Sequence, residues 1–253
     1  MNATLSTRPV VVTRAESADG PLSRELRELG LSVLVWPAVS VTRADPAPLA
    51  AALESIGTFE WIVFASRHAV AAVLEALPQA PPGLKVAAIG KATAQVLRQR
   101  GWPVELTPDE ASAAALVQAF AARAGGGGRV LYPASSRALP TLATGLRQLG
   151  LAVTQVEAYR TESAALDVAD CRLWIGRAAL GAVTFTSPSA VDELARALGD
   201  EDFGRLLNGA AAVVIGRTTA RALKARGHPA VIAASATLAG VAATTCHLLQ
   251  SRS

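Results

Sequence analysis

The sequence predicts an α/β fold of parallel sheets, on the strength of three observations. Short, apolar, β-branched runs alternate with helical segments of about ten residues, a pattern that sets helices on both faces of a parallel sheet. The chain also repeats itself: LRELGL at Leu26–Leu31 returns as LRQLGL at Leu146–Leu151, and each is followed by an extended stretch, Val33–Thr42 or Val153–Thr161. Finally, each strong apolar run is followed at once by a polar word, such as TRA after VVV, ASR after WIVF and TSPS after AVTF.

Taken in order, Val10–Val12 is a strand stopped by Thr13 and Arg14. Leu22, Leu26 and Leu29 lie at helical spacing before Gly30 ends that helix. Residues 32–35 form a strand whose extended tail runs on, and Asp45 and Pro46 open a helix carrying Leu49, Leu53 and Ile56. A buried strand at 61–64 leads through Ser66 into a helix with Val70, Val73, Leu74 and Leu77. Strands are expected at 85–89 and 103–106, helices at 91–100 and 111–122, and a flexible connector at Gly125–Gly128. The second half returns to the same words: a strand at 129–132, a helix at 139–149, a strand from 152 with an extended tail, strands at 182–185 and 211–216, and helices at 217–226 and 238–249.

Two kinds of module therefore alternate, X1, Y1, X2, Y2, where X is a strand–helix–strand unit and Y a three-strand unit with its helices. Consecutive domains would pair X1 with Y1. If the tails after Val35 and Val156 are crossing strands, Y1 packs with X2 and X1 is completed by Y2. Periodicity leaves both arrangements open.

The 253 residues are 51% hydrophobic, with a mean hydropathy of +0.33, enough for sizeable cores built from Ala, Val and Leu because aromatics are only 4%. No apolar run approaches the roughly 20 residues of a membrane helix, and the first residues lack signal-peptide character, so a cytoplasmic protein without a membrane partner is expected. A net charge of +4 favours an anionic partner. The arginines are scattered along helices, as at Arg98, Arg100, Arg221 and Arg226, so nucleic acid is not expected. Cys171 and Cys246, and His68, His228 and His247, have no metal-ligand spacing. Dinucleotide, P-loop and nucleophile-elbow glycine motifs do not occur, and Glu16, Asp19, Glu157 and Glu162 form no catalytic pair; chemistry here would use neither metal nor cofactor.

Ligands of open parallel sheets bind outside the carboxyl ends of the strands. The polar words at those ends are Thr13–Arg14, Ser66–Arg67, Gly90–Lys91–Ala92–Thr93, Ser187–Pro188–Ser189 and Gly216–Arg217–Thr218–Thr219. Helix N-termini there offer free N–H groups and roughly half a positive charge each, suited to carboxylates or phosphates. The same Ser and Thr residues also suit N-caps. Tyr159 stands out for another reason: it aligns with Val39 in the repeat, so its hydroxyl is a candidate for chemistry.

TRA near the start, FASRHAV with AAIGKATAQVLRQRGW, VEAYRT, and FTSPSAV with VIGRTTARALKARGH together resemble uroporphyrinogen-III synthases over almost the whole chain. The resemblance implies two flavodoxin-like parallel-sheet domains joined by a two-stranded β-ladder, which selects the crossed arrangement. Domain one would comprise residues 1–37 and 162–253 and domain two residues 38–161, with substrate in the cleft between them. It also implies a monomeric, cofactor-free lyase. Its substrate would be hydroxymethylbilane, a linear tetrapyrrole with eight carboxylates, which the enzyme dehydrates and closes with inversion of the last ring; a transient contact with the enzyme that makes this substrate would follow. Tyr159 matches the family's tyrosine, Thr218 and Thr219 its substrate-contacting threonines, and Ser66 and Ser187 the serines of its FTS-like words. Ala15 and Ala65 depart from the family's proline and threonine. The second reading is a non-catalytic two-domain protein that binds an anionic small molecule.

Overall fold

The computed structural model describes residues 8–123 and 127–251. The chain begins β1 (Val10–Val12), α1 (Pro21–Glu28), β2 (Val33–Val35), β3 (Val39–Arg43) and α2 (Pro46–Glu54), followed by a 3-10 turn at Ile56–Thr58. It continues β4 (Trp61–Phe64), α3 (Arg67–Ala76), β5 (Lys85–Ala88), α4 (Lys91–Gln99), α5 (Ala113–Ala122), β6 (Arg129–Ser135), α6 (Thr141–Gln148) and β7 (Ala152–Ser163). It closes α7 (Val168–Gly176), β8 (Ala182–Phe185), α8 (Pro188–Leu198), α9 (Asp200–Gly209), β9 (Ala211–Val214), α10 (Arg217–Ala225), β10 (Val231–Ile232) and α11 (Leu238–Gln250).

Two compact units result: Met1–Ser40 with Glu162–Ser253, and Val41–Thr161. The first holds a five-stranded sheet in the order β10-β9-β8-β1-β2, parallel throughout. Every residue of β1, β8 and β9 is buried, as expected for strands covered on both faces by helices. Counted along this unit from β2, the order is 2-1-3-4-5, and it reverses between β1 and β8; open sheets leave a ligand crevice at the carboxyl side of such a point. The second sheet runs β3-β7-β6-β4-β5 and reverses between β6 and β4. β1 thus pairs with β8, and β4 with β6, so X1 is completed by the distant Y2 and X2 by Y1, which directly precedes it. The chain passes from unit to unit inside β3 and inside β7, which are neighbours in the second sheet.

The helices follow from their apolar faces. α1 buries Leu22 and Leu26, α6 buries Leu142 and Leu146, and after each the same left-handed glycine, Gly30 or Gly150, turns the chain back toward its strand. In the second unit, Phe64 and Trp102 meet edge-on at 5.9 Å, and the indole N–H donates to the Pro78 carbonyl at 3.2 Å.

The departures from the sequence-based expectation have local causes. Residues 103–106 form no strand beyond a single bridge, Leu106 to Ala87: Pro103 has no N–H to give, and only Glu105 and Leu106 donate to the Val86 carbonyl. The tail after Val156 runs on extended, as expected, as the continuation of β7 through Tyr159 to Ser163. α7, α9 and β10 were not anticipated, since α9 carries Gly204 in its middle and β10 is two exposed residues at a sheet edge. Of the expected glycine connector, Gly125 and Gly126 lie outside the described residues.

Cys171 is buried, and that burial, followed by the nearby Asp170 and Asp167 carboxylates, pushes its thiol from 9.0 to about 12. A proton kept longer in the fold than in the unfolded chain stabilises fully below the unfolded value and is lost as pH rises through the folded one. Stability should therefore fall between pH 9 and 12, by an amount on the order of a few kcal/mol for this group. Melting curves of wild type and Cys171→Ala across that range check it: the wild type should lose more stability than the variant, and parallel profiles would contradict the assignment.

Candidate active site at the carboxyl ends of the strands

In the first unit, β1, β8 and β9 are neighbours, which gathers Thr13, Ser187 and Gly216 along one edge. Thr13 is fully buried, and its hydroxyl donates to the Thr184 carbonyl at 2.8 Å while the Thr184 hydroxyl donates to the Val11 carbonyl at 3.0 Å. Thr13 therefore ties β1 to β8 instead of presenting its hydroxyl at the edge. The Arg14 guanidinium lies 2.9 Å from Glu16. The Glu16 carboxylate in turn accepts from the Leu22 and Ser23 N–H groups at 3.3 and 2.8 Å and from the Ser23 hydroxyl at 2.8 Å. A side chain at Gly20 would collide with Glu16, at 2.5 Å from its Cβ, so the glycine is what lets this carboxylate reach the start of α1. The N-terminus of α1 is thus occupied by the protein's own anion.

Ser187 caps α8 by accepting from the Ala190 N–H at 3.2 Å, and its oxygen lies 3.0 Å from that of Ser189, with Pro188 opening the helix. α10 differs: its cap is Gly216, which has no side chain to offer its first N–H groups, and a Cβ built on Gly216 would meet nothing within 4 Å. Arg217 and Thr218 are exposed beside it, while Thr219 turns inward.

The second unit repeats the scheme. Ser66 caps α3 by accepting from the Ala69 N–H at 3.1 Å, with Arg67 exposed next to it. Gly90 caps α4 without a side-chain hydrogen bond; Lys91 and Ala92 are exposed there and Thr93 is buried. Of the five strand-to-helix turns singled out in the sequence, three are filled by the protein's own oxygens, from Glu16, Ser66 and Ser187. In the other two, the IGxxTA turns at Gly90 and Gly216, the cap is a glycine that makes no side-chain hydrogen bond, and the cap of α6, Pro140 after β6, makes none either.

Tyr159 lies on β7 opposite Ser135 of β6, just past a bulge that skips Ala158, and such bulges re-aim side chains. Its carbonyl accepts from the Ser136 N–H at 3.0 Å, and its half-buried ring packs on the apolar cluster that includes Phe64 and Val70. Among the described residues its hydroxyl has no hydrogen-bond partner. Tyr132 on β6 is buried, and that burial, then the neighbouring Tyr159, raises its phenol to about 12, so it stays protonated at neutral pH.

Sequence reasoning overlooked the word PASSR at the end of β6, although the rule that found the other turns applies to it equally. Ser135 and Thr161 hydroxyls lie 2.9 Å apart, the Ser136 hydroxyl accepts from the Thr161 N–H at 3.1 Å, and Ser135 accepts from the Arg137 N–H at 3.2 Å. These bonds hold the β6 end against β7 beside Tyr159. His68, weighed in the sequence only as a metal ligand, packs its ring against Tyr159 with centroids 5.4 Å apart. Among the described residues no group of three or more His, Cys, Asp or Glu could hold a metal ion, and no helix is long and apolar enough to cross a membrane.

A family model described as uroporphyrinogen-III synthase HemD matches residues 20–243. The uroporphyrinogen-III synthase of Synechococcus elongatus is 27% identical over 222 residues, covering 84% of each chain. That of Chlorobaculum parvum is 29% identical over 229 residues, covering 87% of this chain and 90% of its own. Among solved structures, a mutant uroporphyrinogen III synthase from Thermus thermophilus superposes with a TM-score of 0.70 at 18% identity, over 96% of this chain and 99% of that one. The Helicobacter pylori uroporphyrinogen-III synthetase gives 0.59 at 19% identity, over 95% and 99%. These two establish likeness of fold.

Proposed function

The chain belongs to the uroporphyrinogen-III synthase family, whose members are enzymes of porphyrin biosynthesis, and from that premise we propose how its own residues turn hydroxymethylbilane into uroporphyrinogen III. The observation that carries the proposal is the pair of glycine-capped helix N-termini at Gly90 and Gly216, each with exposed neighbours and a cap that brings no side-chain oxygen to its first N–H groups. Those main-chain donors would take peripheral carboxylates of the tetrapyrrole. Ser66–Arg67 and Ser187–Pro188–Ser189 flank them along the same strand ends, while Thr13, Arg14, Thr93 and Thr219 shape the turns from behind.

Gripping a polyanion by amides instead of by a dense cluster of Lys and Arg suits the reaction. When the C–O bond of the hydroxymethyl group breaks, the electron pair leaves with hydroxide and the pyrrole nitrogen shares the positive charge of the resulting azafulvenium. Cationic side chains packed around it would raise its energy by Coulomb repulsion. Tyr159 would donate a hydrogen bond to the departing oxygen, and the proton completes the water that is released. The already substituted α-carbon of the last ring attacks the cation to form a spiro intermediate. The older methylene bond of that carbon then breaks, and the methylene cation so released is captured by the other α-carbon of the last ring. The proton lost there restores the phenol, leaving the last ring inverted and the macrocycle closed. Holding a flexible chain in that geometry is a proximity effect, for which intramolecular precedents reach about 7 to 11 kcal/mol.

On this proposal the enzyme is a lyase that needs no cofactor; its monomeric state, its cytoplasmic location and a transient contact with the enzyme supplying hydroxymethylbilane belong to the same reading. The family assignment favours it over a non-catalytic anion binder. The test is to give chelator-treated protein hydroxymethylbilane and separate the product isomers. Type III should dominate, since only type I forms spontaneously. Type I alone, or type III only after metal is restored, would overturn the corresponding part of the proposal.

A further inference from the structure

Another difference between the two halves of the repeat lies at the start of α3. SRHAV of residues 66–70 corresponds to SPSAV of residues 187–191, so His68 stands where the other copy has Ser189, just as Tyr159 stands where the other copy has Val39. The two departures are far apart in the chain, yet they touch: the imidazole and phenol centroids are 5.4 Å apart with the planes tilted by 42°. In the other copy Ser189 keeps to its own turn, 3.0 Å from the Ser187 oxygen. A ring has therefore been placed at the start of α3 in the one copy that also carries a tyrosine for it to pack against.

The surroundings show what the contact does. The Tyr159 backbone is fixed, by pairing with Ser135 and by the Ser136 N–H, but its hydroxyl has no partner among the described residues to set the direction of the phenol. The apolar cluster of the second unit packs on the ring, and His68, exposed at the second position of α3, adds an aromatic contact to it. A phenol confined in this way keeps its hydroxyl direction, whereas one packed only on an apolar cluster can swing.

We propose that His68 is a positioning residue that fixes the ring of Tyr159 so that its hydroxyl meets the leaving oxygen of the substrate. This rests on the catalytic reading of Tyr159. It acts through the tyrosine, by the contact between the two rings.

Steady-state kinetics on purified full-length protein with hydroxymethylbilane test it, using His68→Ala, His68→Phe, Tyr159→Phe and the His68→Ala/Tyr159→Phe double variant. His68→Ala should lower kcat about 10-fold with KM within about twofold, because a misdirected group costs rate more than binding. His68→Phe should stay within about threefold of wild type. In the Tyr159→Phe background, where no hydroxyl remains to aim, His68→Ala should cause less than about a twofold further loss. Since His68 is exposed, melting temperatures of all four variants should match wild type. A slow Tyr159→Phe enzyme combined with an unaffected His68→Ala, with an unrescued His68→Phe, or with fully multiplicative losses in the double variant overturns this inference alone. Wild-type kcat in Tyr159→Phe overturns the reading of Tyr159 and the inference with it.

Discussion

Tyr159→Phe should lower kcat about 100-fold, the lower end of what a positioned proton donor contributes, while the protein folds as before. The expected separation of activity from stability comes from the site itself. The phenyl ring would keep the packing on the Phe64 and Val70 cluster and against His68, and the strand pairing with Ser135 uses only main-chain atoms. The hydroxyl makes no hydrogen bond among the described residues, so its removal leaves no buried group stranded. KM should move little, because the donor is needed as the C–O bond breaks and not in the ground state. Rapid isomer-resolved assays with a thermal melt check both halves. A variant with wild-type turnover would remove the tyrosine from the chemistry, and one with a much lower melting temperature would make its role structural.

Thr218→Glu should raise KM roughly 30-fold and leave the fold as stable as before or slightly more so. Thr218 is exposed at the second position of α10, after a glycine cap with no side chain to fill the first N–H groups. A carboxylate there complements the helix dipole and adds about 0.3–1 kcal/mol to stability. The same carboxylate would stand where the proposal puts a carboxylate of the substrate, and a like charge about 4 Å away costs between roughly 1 and 4 kcal/mol in surroundings of this kind. Thr218→Gln has nearly the same shape without the charge and should raise KM far less. Equal KM values for Thr218→Glu and wild type would mean that no substrate carboxylate visits this turn.

Much of the architecture was legible because its strands are short and wholly apolar. Val10–Val12, Trp61–Phe64 and Ala182–Phe185 cannot be solvent-facing, and each is followed at once by a polar word, in the last two with a serine that caps the next helix. The crossed pairing of β1 with β8 was not legible from periodicity, since parallel partners lie far apart in sequence and nothing local records which valine meets which. The family resemblance supplied that step. Positions of the strand-end turns were legible for the same reason as the strands. Their occupancy was not: that Glu16 folds back onto α1 depends on the loop path and on the space left by Gly20, so a residue dismissed as an unpaired acid proves to fill one helix start. PASSR was readable and missed, and the contact between His68 and Tyr159 emerges only once β7 and α3 share a sheet face.

The central claim is that a polyanionic tetrapyrrole is held by main-chain amides at the strand ends. Amide chemical shifts report on it most directly. Titrating isotopically labelled protein with uroporphyrinogen III under reducing conditions should move the N–H resonances of Lys91–Thr93 and Arg217–Thr219 most, with those after Ser66 and Ser187 following. Shifts confined to other surfaces, with these amides unmoved at saturation, would contradict the account.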